Sequence, residues 1–195
     1  EGPIIQRAHD RAINKQISLE DVFELIKKFR SQDEETPIVL MGYLNSFIFF
    51  KDLIEKNQNN SVDSILVVDI PGELDIADYG IKNENINTIS IISPTTKNDR
   101  IKLIANNSSG FIYYVTLRGV TGSSNLDVDE IKKNISEIKK YATVPTLAGF
   151  GIKSPDDAKA LSSCADGVII GSSTVKMIEE SSSTKEFDKI GSYIA

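Results

Sequence analysis

The chain has 195 residues, of which 40% are hydrophobic and 26% charged, as expected for a soluble globular protein with one domain, here residues 1–195. Its 22 basic and 28 acidic residues give a net charge of -6 without a Lys/Arg cluster, which argues against nucleic-acid binding because that requires a concentrated basic face. The chain has a single cysteine and a single histidine. One cysteine excludes internal disulfides and cysteine-based zinc sites, so we expect a cytoplasmic protein without a metal. No stretch is long and apolar enough to cross a bilayer.

Strand-like and helix-like segments alternate along the chain. Ser18 and Asp21 form a variant of the capping box, and Ser154-Pro155 supplies an N-cap and N1 for a later helix. We predict helices over 4–13, from 18, over 47–54, 98–106 and 128–141, and from 154, then short helices to the end with a turn at Ser181-Ser182-Ser183. Continuous apolar runs predict six strands, at about 38–42, 64–69, 87–92, 111–116, 144–148 and 167–170. Such strands between amphipathic helices indicate a parallel sheet covered by helices.

Three glycine-bearing segments each follow a predicted strand: residues 119–122, 149–152 and 171–174. Glycine lets the backbone approach a ligand closely and direct several N–H groups at one point. A helix N-terminus behind such a turn adds partial positive charge, so a small phosphate is the expected ligand. The alternative is that these glycines only end strands in tight turns.

Two α/β architectures compete for this pattern. A doubly wound sheet would carry a G-x-G-x-x-G turn after its first strand, and the chain has none. A (β/α)₈ barrel binds phosphate in the loops after its last two strands, which is where two of the glycine segments fall. We therefore predict a TIM barrel that lacks its first two strands and retains strands 3–8. The abrupt start at Glu1, not a methionine, leads us to expect a piece of a longer protein.

The sequence resembles the tryptophan synthase α-subunit family over essentially all 195 residues. The resemblance depends on seven motifs in the order and spacing of the family. They are Gly2-Pro3-Ile4-Ile5-Gln6, Met41-Gly42-Tyr43-Leu44-Asn45, Val67-Val68-Asp69-Ile70-Pro71, Gly110-Phe111-Ile112-Tyr113, Gly119-Val120-Thr121-Gly122, Gly149-Phe150-Gly151-Ile152 and Gly171-Ser172.

The resemblance implies a retro-aldol lyase that cleaves indole-3-glycerol phosphate. The family's catalytic glutamate lies on the second strand, which is absent here, so we expect these residues alone to be nearly inactive. Glu1 stands where the family has an aspartate; it is otherwise an ordinary charge at a chain end. Tyr113 aligns with a family active-site tyrosine, although a one-residue slip would turn Tyr114 inward instead.

By the same resemblance, the substrate phosphate binds Gly122, Gly151, Gly171 and Ser172. The indole pocket would be lined by Leu66, Thr121, Phe150 and Ile169, for which a plain core role is the alternative. Asp69 is either a strand-end binding residue or a cap on the following turn, and Arg118 departs from the family pattern without a clear role.

The family works as an α₂β₂ heterotetramer, so the resemblance implies a β-subunit partner that carries pyridoxal phosphate, with no cofactor in this chain. Residues 41–45 and the loop bearing Glu1 match regions that face that partner. Two alternatives remain: another sugar-phosphate TIM-barrel enzyme, or a catalytically dead chain that binds phosphate and activates the β subunit.

Overall fold

The computed structural model describes residues 2–57, 62–81, 85–116, 127–149, 151–152, 154–184 and 188–194. Within these ranges the strands are β1 Val39–Gly42, β2 Ser64–Val67, β3 Asn87–Ile92, β4 Ile112–Val115, β5 Thr146–Gly149 and β6 Gly167–Ile169. The helices are α1 Pro3–Asn14, α2 Leu19–Arg30, α3 Leu44–Phe49, α4 Lys51–Asn57, α5 Asn98–Asn107, α6 Val128–Lys139, α7 Pro155–Leu161, α8 Ser172–Thr184 and α9 Asp188–Ile194. A short 3₁₀ helix, Ile76–Tyr79, occupies the polar segment between β2 and β3.

The six strands form one sheet in the order β1-β2-β3-β4-β5-β6, and every neighbouring pair is parallel. A doubly wound sheet would reverse its strand order at a switch point, and this sheet does not. The sheet curls as part of a (β/α)₈ barrel with β1 and β6 at its two ends. The predicted six-stranded barrel architecture is therefore confirmed.

The core lies between the convex face of the sheet and the helices. One cluster packs around Ile65 and Val67 of β2. A second packs around Ile92, Tyr114 and Ala148 against α5, α6 and α7. Burial of these β-branched and aromatic side chains is the main stabilising term, at roughly 25 cal/mol per Å² of apolar surface.

Tyr113 and Tyr114 point to opposite faces of the sheet. Tyr114 is 1% exposed in the helix-facing core, where Asn134 Nδ2 donates a hydrogen bond of 2.9 Å to its hydroxyl oxygen. Alternation along the strand then places Tyr113 on the concave face, level with Ile91 and Leu147 of the neighbouring strands. The register with Tyr113 inward is the one that the structure adopts.

Both predicted capping motifs are present. The Ser18 hydroxyl accepts a hydrogen bond from the Asp21 amide at 3.2 Å, and the Asp21 carboxylate accepts one from the Ser18 amide at 2.8 Å. Ser154 and Asp157 make the same reciprocal pair at the start of α7, with Pro155 at the first helical position. Each cap satisfies amides that the first helical turn leaves without partners.

Two details of the predicted helices are wrong. The segment 47–54 is not one helix, because α3 ends at Phe49 and α4 begins at Lys51. The serine run at 181–183 is not a turn, because α8 continues to Thr184. The Ser182 hydroxyl donates a 2.7 Å hydrogen bond to the Ile178 carbonyl one turn earlier, so this serine is accommodated within the helix.

Candidate active site at the carboxyl ends of the strands

A cavity of about 600 Å³ opens where β4, β5 and β6 end. Five of the ten residues predicted for the site line it together. These are Tyr113, Gly151, Ile169, Gly171 and Ser172. The remaining wall comes from residues that the sequence analysis did not assign: Gly2, Ile4, Ile152, Ser173, Lys176, Met177, Glu180 and Tyr193.

The other five predicted residues are not part of this set. Leu66 is 3% exposed in β2, pairs with Met41 and Ile89 of the adjacent strands, and does not line the cavity. Because Ile65 and Val67 pack on the helix side of the sheet, alternation places Leu66 on the concave side, and its role in an indole pocket stays a prediction. Glu1, Thr121, Gly122 and Phe150 lie outside the described residues, as does Arg118.

The N-terminus of α8 forms one side of the cavity. The first hydrogen bond of this helix runs from the Val175 amide to the Gly171 carbonyl, at 3.1 Å. The amides of the preceding turn therefore have no acceptor within the helix. The hydroxyls of Ser173 and Thr174 donate to the carbonyls of Ile152 and Ile170, both at 3.3 Å.

No acidic residue occupies the first turn of α8. An anion at this point would meet backbone N–H donors and the positive end of the helix dipole without a competing carboxylate in that turn. The arrangement suits a phosphate group bound by main-chain amides.

Two glycines of the cavity are explained by different requirements. Gly151 has φ = 81°, a left-handed conformation that costs other L-residues about 1–2 kcal/mol. A Cβ built on Gly171 would meet no heavy atom within 4 Å, so packing alone does not demand glycine there. Gly171 lines the cavity, and without a side chain its backbone is open to a ligand.

Tyr113 forms the opposite wall, and its ring is half-buried on the concave face. Burial raises the pKa of the Tyr113 hydroxyl above its ordinary value, because the charged phenolate would lose solvation. The group is therefore a neutral phenol near neutral pH and can donate or accept a hydrogen bond.

The cavity residues of α8 share one helix face. Ser172, Lys176 and Glu180 follow one another at intervals of four residues, and residues four apart are neighbours on a helix surface. This spacing was available in the sequence. The sequence analysis assigned Ser172 to the site but did not follow the spacing on to Lys176 and Glu180.

Asp69 has a structural role that neither earlier interpretation anticipated. Its Oδ1 accepts a 2.7 Å hydrogen bond from the amide of Leu44, the first residue of α3. It caps the helix that follows the neighbouring strand, not the turn after its own strand.

The described residues contain no cluster of three or more His, Cys, Asp or Glu side chains arranged to hold a metal ion. Within the same residues, the search for a helix with the length and apolar character of a membrane span finds none.

Comparisons with known proteins agree with this geometry. The family model described as "Tryptophan synthase alpha chain" matches residues 1–193. The chain is 43% identical over 182 residues to the tryptophan synthase alpha chain of Neisseria meningitidis serogroup B, covering 92% of this chain and 70% of the relative.

Solved structures show the same fold. The tryptophan synthase alpha chain of Legionella pneumophila superposes with a TM-score of 0.81 at 32% identity, covering 99% of this chain and 73% of that one. A chain of the tryptophan synthase complex from Pyrococcus furiosus superposes with a TM-score of 0.77 at 29% identity, covering 92% and 73%.

Proposed function

The chain belongs to the tryptophan synthase alpha chain family, and we propose on that premise that it carries out the lyase reaction of that enzyme. The reaction cleaves indole-3-glycerol phosphate to indole and glyceraldehyde 3-phosphate in tryptophan biosynthesis. The single observation that supports it best is the cavity that brings Tyr113 together with the free amides of α8. The family match also favours this lyase over other sugar-phosphate barrels.

The phosphate end of the substrate would bind at Gly151, Gly171 and Ser172. Main-chain amides at a helix N-terminus recognise an anion through both hydrogen bonds and the helix dipole. Gly122, by its family position, would add a further amide. Fixing the phosphate orients the rest of the substrate toward Tyr113 and the centre of the sheet, which lowers the entropic part of the barrier.

Cleavage proceeds through proton transfers at the indole ring and the glycerol side chain. Protonation of indole C3 and loss of the proton from the adjacent side-chain hydroxyl allow the C3 side-chain bond to break. The bonding pair returns to the ring, and the hydroxyl carbon becomes the aldehyde of glyceraldehyde 3-phosphate. A carboxylic acid must stand at C3 and a carboxylate near the ring N–H. By family position, Glu1 would be the carboxylate near N–H.

Tyr113 would hold the reacting part of the substrate by a hydrogen bond. Its raised pKa keeps the phenol protonated over the physiological range, so its donor is available throughout. Ile169, on the same cavity, provides an apolar surface suited to a ring. Thr121 and Phe150 would extend this pocket by family position.

The partner in this proposal is a tryptophan synthase β subunit in an α₂β₂ heterotetramer, which takes up the indole. Met41 and Tyr43, which match a partner-facing region of the family, have large exposed side chains at 59% and 44% exposure. Pyridoxal phosphate would belong to the β subunit, and this chain would need no cofactor of its own. The assembly would be cytoplasmic.

The acid that protonates C3 has no counterpart among these 195 residues under the family resemblance. We therefore expect residues 1–195 alone to bind the phosphate but to cleave substrate very slowly. The second candidate function, a phosphate-binding chain that only activates the β subunit, follows from the same observation.

Release of glyceraldehyde 3-phosphate, coupled to its oxidation by a dehydrogenase, tests both statements. The measurement compares residues 1–195 with the protein as the cell makes it, each with its β subunit. Cleavage by the cellular protein supports the lyase, whereas activation of the β subunit without cleavage supports the second candidate. Turnover by residues 1–195 at a normal enzyme's rate would show that the missing acid is not required.

A further inference from the structure

Lys176 is the one basic residue among the described residues that line the cavity. It lies on α8 four residues after Ser172, so it shares the helix face that bears the free amides. A cation at this position adds a full positive charge to the partial charges of the backbone amides, in a wall that also carries the Glu180 carboxylate.

The geometry of a helix directs this side chain toward the phosphate position. Side chains on an α helix lean toward its N-terminus and cover the preceding turn. One turn rises about 5.4 Å, which the four-carbon stem of lysine spans. The Lys176 ammonium can therefore reach an anion held by the amides at Ser172.

The present partner of Lys176 holds it weakly. The distance from Lys176 Nζ to Glu180 Oε1 is 3.6 Å, and the two side chains are 57% and 64% exposed. A lysine that precedes its glutamate by four residues is also the less favourable orientation for such a helix pair. An exposed pair of this kind contributes little to stability, so exchanging the carboxylate for a dianion costs little.

The neighbouring ion pair on α8 is different in these respects. Glu179 accepts hydrogen bonds from Arg7 at 2.9 and 2.8 Å and from Arg11 at 2.7 Å. Arg7 makes a bidentate contact with Glu179 and Arg11 adds one further short hydrogen bond, whereas Lys176 makes only the longer contact with Glu180. Lys176 is thus the cation that a cavity ligand can recruit.

We propose that Lys176 is a further phosphate-binding residue of this site, and that Glu180 keeps its ammonium at the cavity until the phosphate arrives. The inference rests on the proposed function, because it assumes that the phosphate binds at the N-terminus of α8. Main-chain amides alone would bind phosphate equally well after a change at residue 176. The Lys176 proposal instead predicts that replacing this side chain lowers phosphate affinity while the backbone stays the same.

Titration with inorganic phosphate, followed by NMR of the Gly171 and Ser172 amides, tests the proposal directly. Lys176→Met removes the charge but keeps the chain length and helix preference, and we expect it to weaken phosphate binding about tenfold, as for loss of a charge-assisted contact. Lys176→Arg should retain binding within about threefold. Glu180→Gln should tighten binding, because it removes the carboxylate that competes with phosphate for the ammonium.

Lys102→Met is the matched control, since Lys102 is exposed on α5 and does not line the cavity. It should leave phosphate affinity unchanged. In the assembled enzyme, Lys176→Met should raise KM for indole-3-glycerol phosphate while kcat and indole affinity stay within about twofold, a pattern that a purely structural lysine would not give.

The outcomes separate this inference from the function on which it rests. If Lys176→Met binds phosphate as the unaltered chain does while Gly171→Ala does not bind it, the cradle stands and the role of Lys176 is wrong. If the unaltered chain shows no response at Gly171 and Ser172, the phosphate site itself is wrong, and the inference falls with it.

Discussion

The ring of Tyr113 packs directly against the backbone of Gly149 on the neighbouring strand. A Cβ built on Gly149 would lie 2.7 Å from Tyr113 Cε2 and 3.0 Å from its Oη, and 2.8 Å from Ile169 Cβ. Real Cβ atoms do not approach other atoms so closely. The glycine therefore sets the position of the tyrosine at the cavity wall.

Replacing Gly149 by alanine should displace the Tyr113 ring and destabilise the fold. Overpacking of this kind in a core typically costs 1–3 kcal/mol, and we expect a loss of about 2 kcal/mol in the free energy of unfolding. Chemical denaturation monitored by circular dichroism measures the loss. An unchanged denaturation midpoint would mean that the tyrosine moves aside freely and that the glycine does not fix it.

Unlike Gly149→Ala, Gly171→Ala should leave the stability of the fold nearly unchanged and weaken phosphate binding. Its methyl group meets no atom within 4 Å, so the stability should stay within about 0.5 kcal/mol, as for most surface substitutions. Gly171 lines the cavity next to the first turn of α8, so a methyl group there should crowd an anion bound by these amides, and we expect phosphate affinity to fall at least tenfold. Isothermal titration with inorganic phosphate measures this effect. A stable variant with undiminished phosphate affinity would contradict the placement of the anion.

These two glycines also show how far the sequence could be interpreted. Alternation of strands, helices and glycine turns was enough to predict six parallel strands and the end of the sheet that carries the site. The glycine pattern alone could not distinguish Gly149, which makes room for the Tyr113 ring, from Gly171, which has open space beside it. That difference depends on contacts between strands far apart in sequence.

The sequence also could not show which side chains point into the cavity. Adjacent tyrosines at 113 and 114 can each fit a half-buried strand, and only the packing of Tyr114 against Asn134 settles which one faces the cavity. The sequence placed the start of the last long helix at the site through Gly171 and Ser172, but it did not show that Lys176 and Glu180, one and two turns later, also line the cavity. Leu66 was assigned to the pocket by resemblance, and it is buried on the concave side of β2, so its place in the pocket stays a prediction.

Thr146 carries a buried hydroxyl without a partner among the described residues. It is fully buried at the start of β5, and its Oγ1 makes no hydrogen bond there. A buried polar group left unsatisfied costs about 1–3 kcal/mol, and valine has nearly the same shape and favours strands. We expect Thr146→Val to raise the free energy of unfolding by about 1 kcal/mol, measured by urea denaturation.

Thr116→Val is the matched control for this substitution. Thr116 is equally buried, but its hydroxyl donates a 2.9 Å hydrogen bond to the Gly149 carbonyl. The same chemical change should therefore destabilise the protein by about 1 kcal/mol. If both variants shift stability in the same direction, hydrogen bonding is not what distinguishes the two threonines.

Asp166 should make stability depend on pH at the acid end. Lys139 Nζ donates to its Oδ1 at 2.7 Å and the Thr146 amide to its Oδ2 at 2.8 Å. These contacts, with the Lys139 hydrogen bond as the largest cause, lower the pKa of Asp166 below its ordinary value. Because the folded state holds the proton less tightly than the unfolded one, the stabilisation is complete above the unfolded pKa of about 3.9. It is lost as the pH falls through the lower folded pKa.

Asp166→Asn should remove this dependence. Solvent screens a carboxylate that is 42% exposed, so we expect a loss of only about 0.5–1 kcal/mol at pH 7 and a shallower fall in stability below pH 4. Thermal melts at intervals between pH 2 and 7 measure the curves. Equal slopes for Asp166→Asn and the unaltered chain would show that protonation of Asp166 does not contribute to the loss of stability in acid.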